Sequence, residues 1–573
     1  MADDVTGRAR RDARQRRRDA RGEQGGARDR RRVVGRLATT SAGVVGIVAL
    51  GAVAAFGGDV AGRLPDRDLA EPVEHVTVTP AQDVVVCPGP ARLTDPEAVG
   101  DAQFGPSPVG TASTLRAAVG GASAASLGAL DGSDTQDLAT PSVADGLATL
   151  GVDAPTAGSA LTVRPGDGDA PRVAASVGSV TTEGDLRGLA AASCGRPGVS
   201  QWLVGGSTEI GSSAQLVLQN AGRTPATVQV SVWGQNGRAV LAGGGQQLVG
   251  PGTEVVQLLE AAAPEQRRTV VHVESSGGLV SAYLQQNTLD GLVPLGVDYV
   301  VPGAEPARDL ALTGVVSAGE AVDDPHAPQL RLLAPGDEPG TARVVVHGPD
   351  GPVTVRGLEQ VALTPGVVSD VSLGGLPAGR YGVAVHADVP VVAGASTDRR
   401  GPVDPDLLHE ERQYDRAWLA ARPLVETGTA RAGQVALVPA TSASLSLAAL
   451  PVTAEEGDPT GSLELVVQAY AADGSPLGEQ TVSVGTGTTT TLDPPSLVPE
   501  GSEQAPAVVA VDVVEADEGL AAAWSVLVEA GPPNGDEGDT TPSLVSVLLP
   551  VTDGSVAREV GVRASDTAGL GGR

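Results

Sequence analysis

Apolar positions follow two patterns along this chain of 573 residues. Residues 37–58 form an unbroken stretch of apolar and small residues without any ionisable side chain. An α-helix rises about 1.5 Å per residue, so a stretch of this length just crosses a hydrocarbon core of about 30 Å. The stretch therefore predicts one transmembrane helix.

Beyond this stretch, apolar and polar positions alternate, which is the pattern of half-buried strands. From residue 201 onward the pattern occurs in three copies, marked by tight turns at Asn236-Gly237, Asp350-Gly351 and Asp473-Gly474. Such dipeptides favour hairpins because both central residues tolerate positive φ. About seven short strands per copy are typical of an immunoglobulin-like β-sandwich. We predict an all-β protein, with tandem immunoglobulin-like β-sandwich modules after a single N-terminal transmembrane helix.

These patterns also set the predicted domain boundaries. The N-terminal tail lacks apolar periodicity, so we expect it to be disordered. In chain order we expect a disordered Arg-rich cytoplasmic tail (1–36), the transmembrane helix (37–58), a tether (59–72), a β-rich domain closed by a disulfide (73–200), three β-sandwich modules (201–300, 301–415 and 416–553) and a flexible tail (554–573).

The charge changes sign across the apolar stretch. Residues 1–36 hold 13 Arg and 6 acidic residues, whereas the whole chain has a net charge of −30. Basic flanks of membrane helices face the cytoplasm, so we expect a single-pass protein of the cell membrane with its large C-terminal part outside. The acidic exterior argues against a nucleic-acid partner. The chain contains no lysine, which excludes phosphate-loop, Schiff-base and Ser-x-x-Lys chemistry.

A secretory signal is the alternative interpretation of residues 37–58. Arg31-Arg32 precede the stretch, and Ala52-Val53-Ala54 resembles a small-residue cleavage site. Cleavage near Ala54 would release the protein, but the basic segment is long for a signal peptide and the apolar run continues to Phe56. We favour the uncleaved anchor.

The two cysteines, Cys87 and Cys194, both follow the apolar stretch. In an oxidising exterior an even pair usually forms a disulfide. Zinc requires more ligands than two thiols, and neither cysteine has a histidine near it in sequence. We therefore predict a Cys87–Cys194 disulfide.

The surroundings of these cysteines resemble a known family. The segments are Val85-Val86-Cys87-Pro88-Gly89, Cys194-Gly195-Arg196-Pro197 and Gln201-Trp202-Leu203-Val204-Gly205-Gly206. They are similar to actinobacterial membrane-anchored envelope proteins grouped as domain of unknown function five-seven-one-nine. The resemblance implies an exported β-rich ectodomain associated with a membrane glycosyltransferase of envelope glycopolymer synthesis. It implies no catalytic residues.

No residue pattern predicts a catalytic, cofactor-binding or metal-binding site, and we expect no cofactor. The histidines lack zinc spacing, although His347 and His386 fall at strand ends of one module. The acidic loops 323–326 and 534–539 are candidates for bound Ca²⁺. Aromatic residues make up only 2% of the chain, which weakens both a glycosidase and a dedicated sugar-binding module. We expect the four tryptophans to lie in cores: Trp202, Trp233, Trp418 and Trp524.

The sequence thus favours a non-catalytic, membrane-anchored extracellular scaffold or adaptor of the cell envelope, possible partners being a membrane glycosyltransferase or another envelope protein. In this interpretation the anchor fixes the protein at the membrane and the modules project through the wall. The alternative is a glycan- or ion-binding envelope protein with ligand in the inter-module loops. An exported hydrolase is a third and weaker interpretation. The oligomeric state stays open.

Overall fold

We analysed a computed structural model of the full chain. The structure describes residues 82–93, 110–141, 143, 145–166, 170–403, 412–453, 461–533 and 540–552, and the backbone of two further strands. Those two strands, Glu74–Val78 and Arg558–Val562, pair with each other in a separate two-stranded sheet. Residues Thr79–Arg558 form one compact body.

The body is all-β, and its sheets pair into four successive two-sheet units, here called units 1 to 4. Every pairing between strands of the body is antiparallel, as expected for chains that return through short turns. One sheet of unit 1 contains, in spatial order, Asp83–Cys87, Ser159–Pro165, Ala122–Ala129 and Gln136–Asp137. The other contains Ala148–Asp153, Thr111–Gly120, Arg172–Thr181 and Gly188–Ser193. One sheet of unit 2 contains Ser200–Val204, Val270–Ser276, Ala226–Gly234, Gly237–Arg238 and Gln246–Val249. The other contains Thr253–Leu258, Ser212–Asn220, Ser281–Asp290 and Val293–Val300.

Unit 3 differs because one long strand, Gly379–Val403, takes part in both of its sheets. The other strands of unit 3 are Ala307–Ser317, Gln329–Leu333, Gly340–Gly348, Gly351–Val353, Val361–Leu363, Ser369–Ser372, Arg412–Ala420 and Arg422–Pro423. The sheets of unit 4 contain Ala430–Ala436, Val508–Ala516, Ser462–Tyr470 and Pro476–Gly485, and Thr489–Leu492, Ser442–Pro451, Leu520–Pro533 and Pro542–Leu548. The described helices are single turns: the α-helix Leu259–Ala262 and the 3₁₀ turns Ala242–Gly245 and Pro494–Leu497.

Aliphatic side chains fill the cores, as the scarcity of aromatic residues predicts. In unit 1, alternate residues of one strand, Leu115, Ala117 and Val119, face Leu161 and Val163 of the opposite sheet. Successive side chains of a strand point to opposite faces, so this alternation buries one face of each sheet. Each fully buried Val or Leu stabilises the fold by about 1.5–3 kcal/mol.

The four units form a closed ring, because the fourth packs back against the first. A separate apolar cluster lies at each seam. Units 1 and 2 share Val177 and Tyr299, units 2 and 3 share Trp202 and Val392, units 3 and 4 share Ala384 and Ala448, and units 4 and 1 share Ala436 and Ala174. The sequence predicted tandem modules without predicting how they pack. They close into a ring because each unit carries apolar residues on its outer faces as well as inside.

Two boundary predictions also need correction. The boundary at 415/416 falls inside the strand Arg412–Ala420, which pairs with Gly379–Val403 and belongs to unit 3. The flexible tail expected at 554–573 contains the strand Arg558–Val562, where valines alternate with other residues. The transmembrane helix, the basic tail, the tether and the cleavage site all lie outside the described residues. Within the described part of the chain, no helix is both long and apolar enough to span a membrane.

The three predicted turns occur, with a different conformation. Gly237, Gly351 and Gly474 have φ of 104°, 116° and 80°. The preceding Asn236, Asp350 and Asp473 keep negative φ, so only the glycine of each turn adopts the left-handed region. The pairing of Gly234 with Gly237, and of Gly348 with Gly351, fixes tight two-residue loops.

Candidate functional site

The centre of the ring is built from four strands, one from each unit. They are Gly188–Ser193, Val293–Val300, Arg412–Ala420 and Pro542–Leu548, here called the central strands. Each is the outermost strand of its sheet, and each contacts the central strands of both neighbouring units. An edge strand leaves one row of backbone N–H and C=O groups unpaired. In this molecule those rows face the interior of the ring.

Two buried carboxylates accept hydrogen bonds from some of the backbone donors of these edges. Asp298 of unit 2 accepts hydrogen bonds from the N–H of Ala191 in unit 1 (3.2 Å) and of Trp418 in unit 3 (2.9 Å). It also accepts a hydrogen bond from the hydroxyl of Ser546 in unit 4 at 2.8 Å. One side chain therefore joins all four units.

Asp415 of unit 3 likewise accepts backbone hydrogen bonds from the central strands of two other units. Its Oδ2 accepts the N–H of Leu189 in unit 1 (3.0 Å) and of Val545 in unit 4 (2.7 Å). Arg187 completes the group, since its guanidinium donates to the Ser543 hydroxyl at 2.8 Å and to the Tyr414 carbonyl at 3.3 Å. We call Arg187, Asp298, Asp415, Ser543 and Ser546 the polar hub.

The hub is dry. Asp415 is 0% exposed, and Asp298 and Arg187 are each 1% exposed. Burial raises the pKa of Asp298 well above its usual range, against the opposing hydrogen bonds from Trp418 and Ser546. Burial likewise raises the pKa of Asp415 to about 7, with the backbone donors and the Arg187 charge acting in the opposite direction. The hub thus holds two carboxyl groups whose proton affinity is set by their removal from water.

Sequence reasoning missed the hub. Its members are far apart in the chain, and no spacing rule connects them. The available signal was local: Asp298 lies within the apolar run Val297-Asp298-Tyr299-Val300, where a solvated acid is out of place.

The disulfide is the one site that the sequence assigned, and the structure joins Cys87 and Cys194 with an S–S distance of 2.05 Å. Cys87 ends a strand of one sheet of unit 1, and Cys194 follows the central strand of the other. The two flanking residues Val86 and Gly195 also exchange backbone hydrogen bonds. The disulfide therefore ties the beginning of unit 1 to its end.

The structure does not bring the two singled-out histidines to a common ligand. The Nδ1 of His347 bonds to the Gly487 carbonyl of unit 4 at 3.0 Å, and the Nδ1 of His386 bonds to Asp309 at 2.9 Å. His347 thus belongs to the seam between units 3 and 4. Of the described residues, no group of three or more His, Cys, Asp or Glu is placed to hold a metal ion.

Of the two acidic loops, 534–539 lies outside the described residues. In the other, Asp324 accepts the backbone N–H of His326 at 2.8 Å, and the His326 ring bonds to Asp398 at 2.9 Å. Burial raises the pKa of Asp398, but Arg416 and His326 more than offset this, so the pKa lies below its usual value. These groups thus already have partners within the protein.

The tryptophans are buried, as expected, but three of them lie at seams between units. Trp202 and Trp233 stack at 5.3 Å beside unit 3, and Trp418 of unit 3 packs into the core of unit 2. His272 stacks on Trp202 at 4.0 Å and lies 2.9 Å from the Ser200 hydroxyl through Nε2. A Ser–His pair of this kind occurs in hydrolases, where a carboxylate orients the ring. The nearest acid, Glu274, is 4.0 Å from Nδ1 and exposed, so it does not fix the imidazole.

A cavity of about 340 Å³ lies at the carboxyl ends of the central strands, beside the disulfide. Residues from all four units line it, among them Cys194, Tyr299, Arg422 and Leu549.

The family described as of unknown function (DUF5719) matches residues 149–495. The chain belongs to this family. The match starts within unit 1 and ends within unit 4, so the DUF5719 region takes in parts of every unit of the ring. No curated protein matches this DUF5719 chain.

Two solved structures are weakly similar to the DUF5719 protein. One is a biofilm-associated protein (BSP domain), 10% identical, with 86% of this chain and 100% of that chain covered and a TM-score of 0.12. The other is the pilus adhesin SpaC from Lactobacillus rhamnosus GG, 11% identical, with 78% and 57% covered and a TM-score of 0.08. Superpositions this poor contribute nothing to the interpretation.

Proposed function

We propose that this DUF5719 protein is a non-catalytic scaffold or adaptor of the cell envelope. In this proposal residues 37–58 anchor it in the membrane with the N-terminus in the cytoplasm and the ring outside. The four two-sheet units are immunoglobulin-like sandwiches. The partner is a membrane glycosyltransferase of envelope glycopolymer synthesis or another envelope protein.

The observation that supports a scaffold is the closed ring with its polar hub. Asp298 alone contacts all four units, and each seam has its own apolar cluster. A body held in this way keeps the loops and strand edges of its units at fixed relative positions. Pre-organised surfaces bind partners with less loss of conformational entropy than mobile ones, which suits an adaptor.

Exposed apolar side chains at one end of unit 2 offer a place to probe for the partner. Ile210 is 98% exposed and Leu292 is 80% exposed. The N–H of Leu289 bonds to the carbonyl of Gly211 at 2.7 Å, so the loops that carry these two residues lie side by side. Isolated exposed apolar residues are common, but a neighbouring pair is a practical site for a crosslinker.

The test is photo-crosslinking from position 210 or 292 in membranes, followed by affinity purification in detergent. We expect an envelope-synthesis protein to be enriched, and reciprocal purification of that protein to recover the DUF5719 chain. A probe at Val322, which is 71% exposed on unit 3, serves as the matched control. Failure to enrich any envelope-synthesis protein above an unrelated anchored ectodomain would argue strongly against the adaptor.

The membrane topology needs its own measurement. N-terminal sequencing of the mature protein distinguishes the anchor from a cleaved signal, since a start at Ala55 means release. Protease added to intact cells should digest the ring domain while leaving an epitope before residue 37 intact. Protection of the ring domain would contradict the proposed orientation.

A further inference from the structure

The cavity beside the disulfide has an unusual charge for this protein. The chain as a whole carries a net charge of −30, yet the lining of the cavity contains two arginines and no acidic residue. Of these, Arg196 is neutralised, because its guanidinium donates to both carboxylate oxygens of Asp83 at 2.7–3.1 Å. Arg422 is the remaining charge.

Arg422 has no carboxylate partner among the described residues. Burial within the body lowers the pKa of its guanidinium, and yet the side chain is exposed to solvent. The guanidinium therefore lies within the body and borders the solvent-accessible cavity. Water solvates it there when no anion is present, and among the described residues it has no carboxylate partner that a ligand would have to displace.

Ser193 supplies a second polar group to the same cavity. Its Oγ is buried and has no hydrogen-bond partner among the described residues. The two tyrosine hydroxyls of the lining are engaged, since Tyr283 accepts the Gly89 N–H and Tyr299 donates to the Gly89 carbonyl. A buried hydroxyl without a partner is uncommon in a folded protein. Rotation of the Ser193 side chain toward the cavity would let this hydroxyl bond to a ligand.

We propose that this cavity binds a small anionic ligand, whose carboxylate or phosphate group pairs with Arg422 and accepts a hydrogen bond from Ser193. Arginine recognises both groups through paired N–H donors. A volume of about 340 Å³ lies within the range of small-molecule sites. Apolar walls from Val301, Val547 and Leu549 would hold the organic part of the ligand. This inference is independent of the scaffold function.

Isothermal titration calorimetry on the full chain, in neutral detergent at low ionic strength, tests whether the cavity binds anions. The probes are succinate, inorganic phosphate and glucose 1-phosphate, with glucose as the uncharged counterpart. We expect saturable one-to-one binding of at least one anion and none of glucose. Succinate separates a carboxylate site from the phosphate site that the other two probes report.

Variants identify the site. Arg422→Gln should weaken binding at least tenfold, Arg422→Lys should weaken it less, and Ser193→Ala should weaken it severalfold. Arg164→Gln is the matched control, because Arg164 is an exposed arginine on a strand of unit 1 away from the cavity. Binding of no probe, equal binding of glucose, or equal affinity in Arg422→Gln would each overturn the proposal. Circular dichroism on each variant shows that the fold is intact.

Discussion

Asp298 and Asp415 each accept backbone N–H groups from the central strands of two other units, and together they reach all four units of the ring. Exposed edge strands are sites of aggregation, and proteins usually protect them with charge, distortion or cover. In this ring the four edges cover one another, and two carboxylates replace the missing ladder partners. The hub therefore both closes the ring and protects its strands.

Replacing Asp298 should destabilise the whole body. Asp298→Ala leaves the N–H groups of Ala191 and Trp418 without an acceptor, and each buried orphan costs about 1–3 kcal/mol. The Ser546 hydroxyl keeps the Ala191 carbonyl as an acceptor. We expect the free energy of unfolding, measured by denaturant titration, to fall by about 2 kcal/mol or more. Asp290→Ala, on an exposed residue of the preceding hairpin, should change it by less than about 0.5 kcal/mol. Equal effects of the two substitutions would contradict the assigned role.

The stability of the ring should depend on pH through Asp415 and Asp298, since burial raises the pKa of both. The folded-state pKa of Asp415 is about 7, above the value of about 4 for an unfolded chain. A raised pKa means that the folded state binds the proton more tightly, so this contribution is complete below about pH 4 and is lost as pH rises through 7. We expect the free energy of unfolding to fall by about 1 kcal/mol per unit in this window. Asp415→Asn should reduce the slope by the Asp415 share and leave the part due to Asp298, whose pKa is also raised. An unchanged slope would contradict the assignment to Asp415.

The disulfide should contribute substantially to stability. It links residues 107 positions apart, and in the chain-entropy model closing a loop of that length is worth up to about 4–5 kcal/mol. We expect the Cys87→Ala, Cys194→Ala double variant to melt at a lower temperature than the wild type. Reductant should lower the wild-type melting temperature towards that of the double variant and leave the double variant unaffected. A reductant effect of equal size on both proteins would have another origin.

The seam that closes the ring is sensitive to one glycine. A Cβ atom at Gly178 of unit 1 would lie 2.3 Å from a methyl group of Val438 in unit 4, whereas at Gly151 in the same sheet it meets nothing within 4 Å. Gly178→Val should therefore destabilise by about 1–3 kcal/mol and speed amide hydrogen exchange in Ala430–Ala436. Gly151→Val gains the same strand propensity without the clash. Equal exchange in both variants would mean that this seam is not tightly closed.

Local patterns in the sequence predicted the strands and the disulfide well, because alternation and turn residues act over a few positions. The strands of 111–129 could not be placed individually within the predicted β-rich domain, since their Ala, Ser and Gly residues carry little hydrophobic contrast. The boundary at 415/416 was wrong because Arg412–Ala420 resembles the first strand of a new copy. The ring and its hub depend on contacts such as Arg172 to Asp512, 340 residues apart, which no local pattern encodes.

That last contact has a consequence for biogenesis. The seam between units 1 and 4 cannot form until almost the whole chain has been synthesised and has crossed the membrane, if it is exported as we propose. Until then Gly188–Ser193 lacks its cover on that side, although units 1 to 3 can already have folded. Contacts between distant residues form slowly, and an uncovered edge strand invites pairing with other chains. Docking of unit 4 therefore completes the ring. A chain truncated before residue 430 should depend on chaperones more than the full-length chain does.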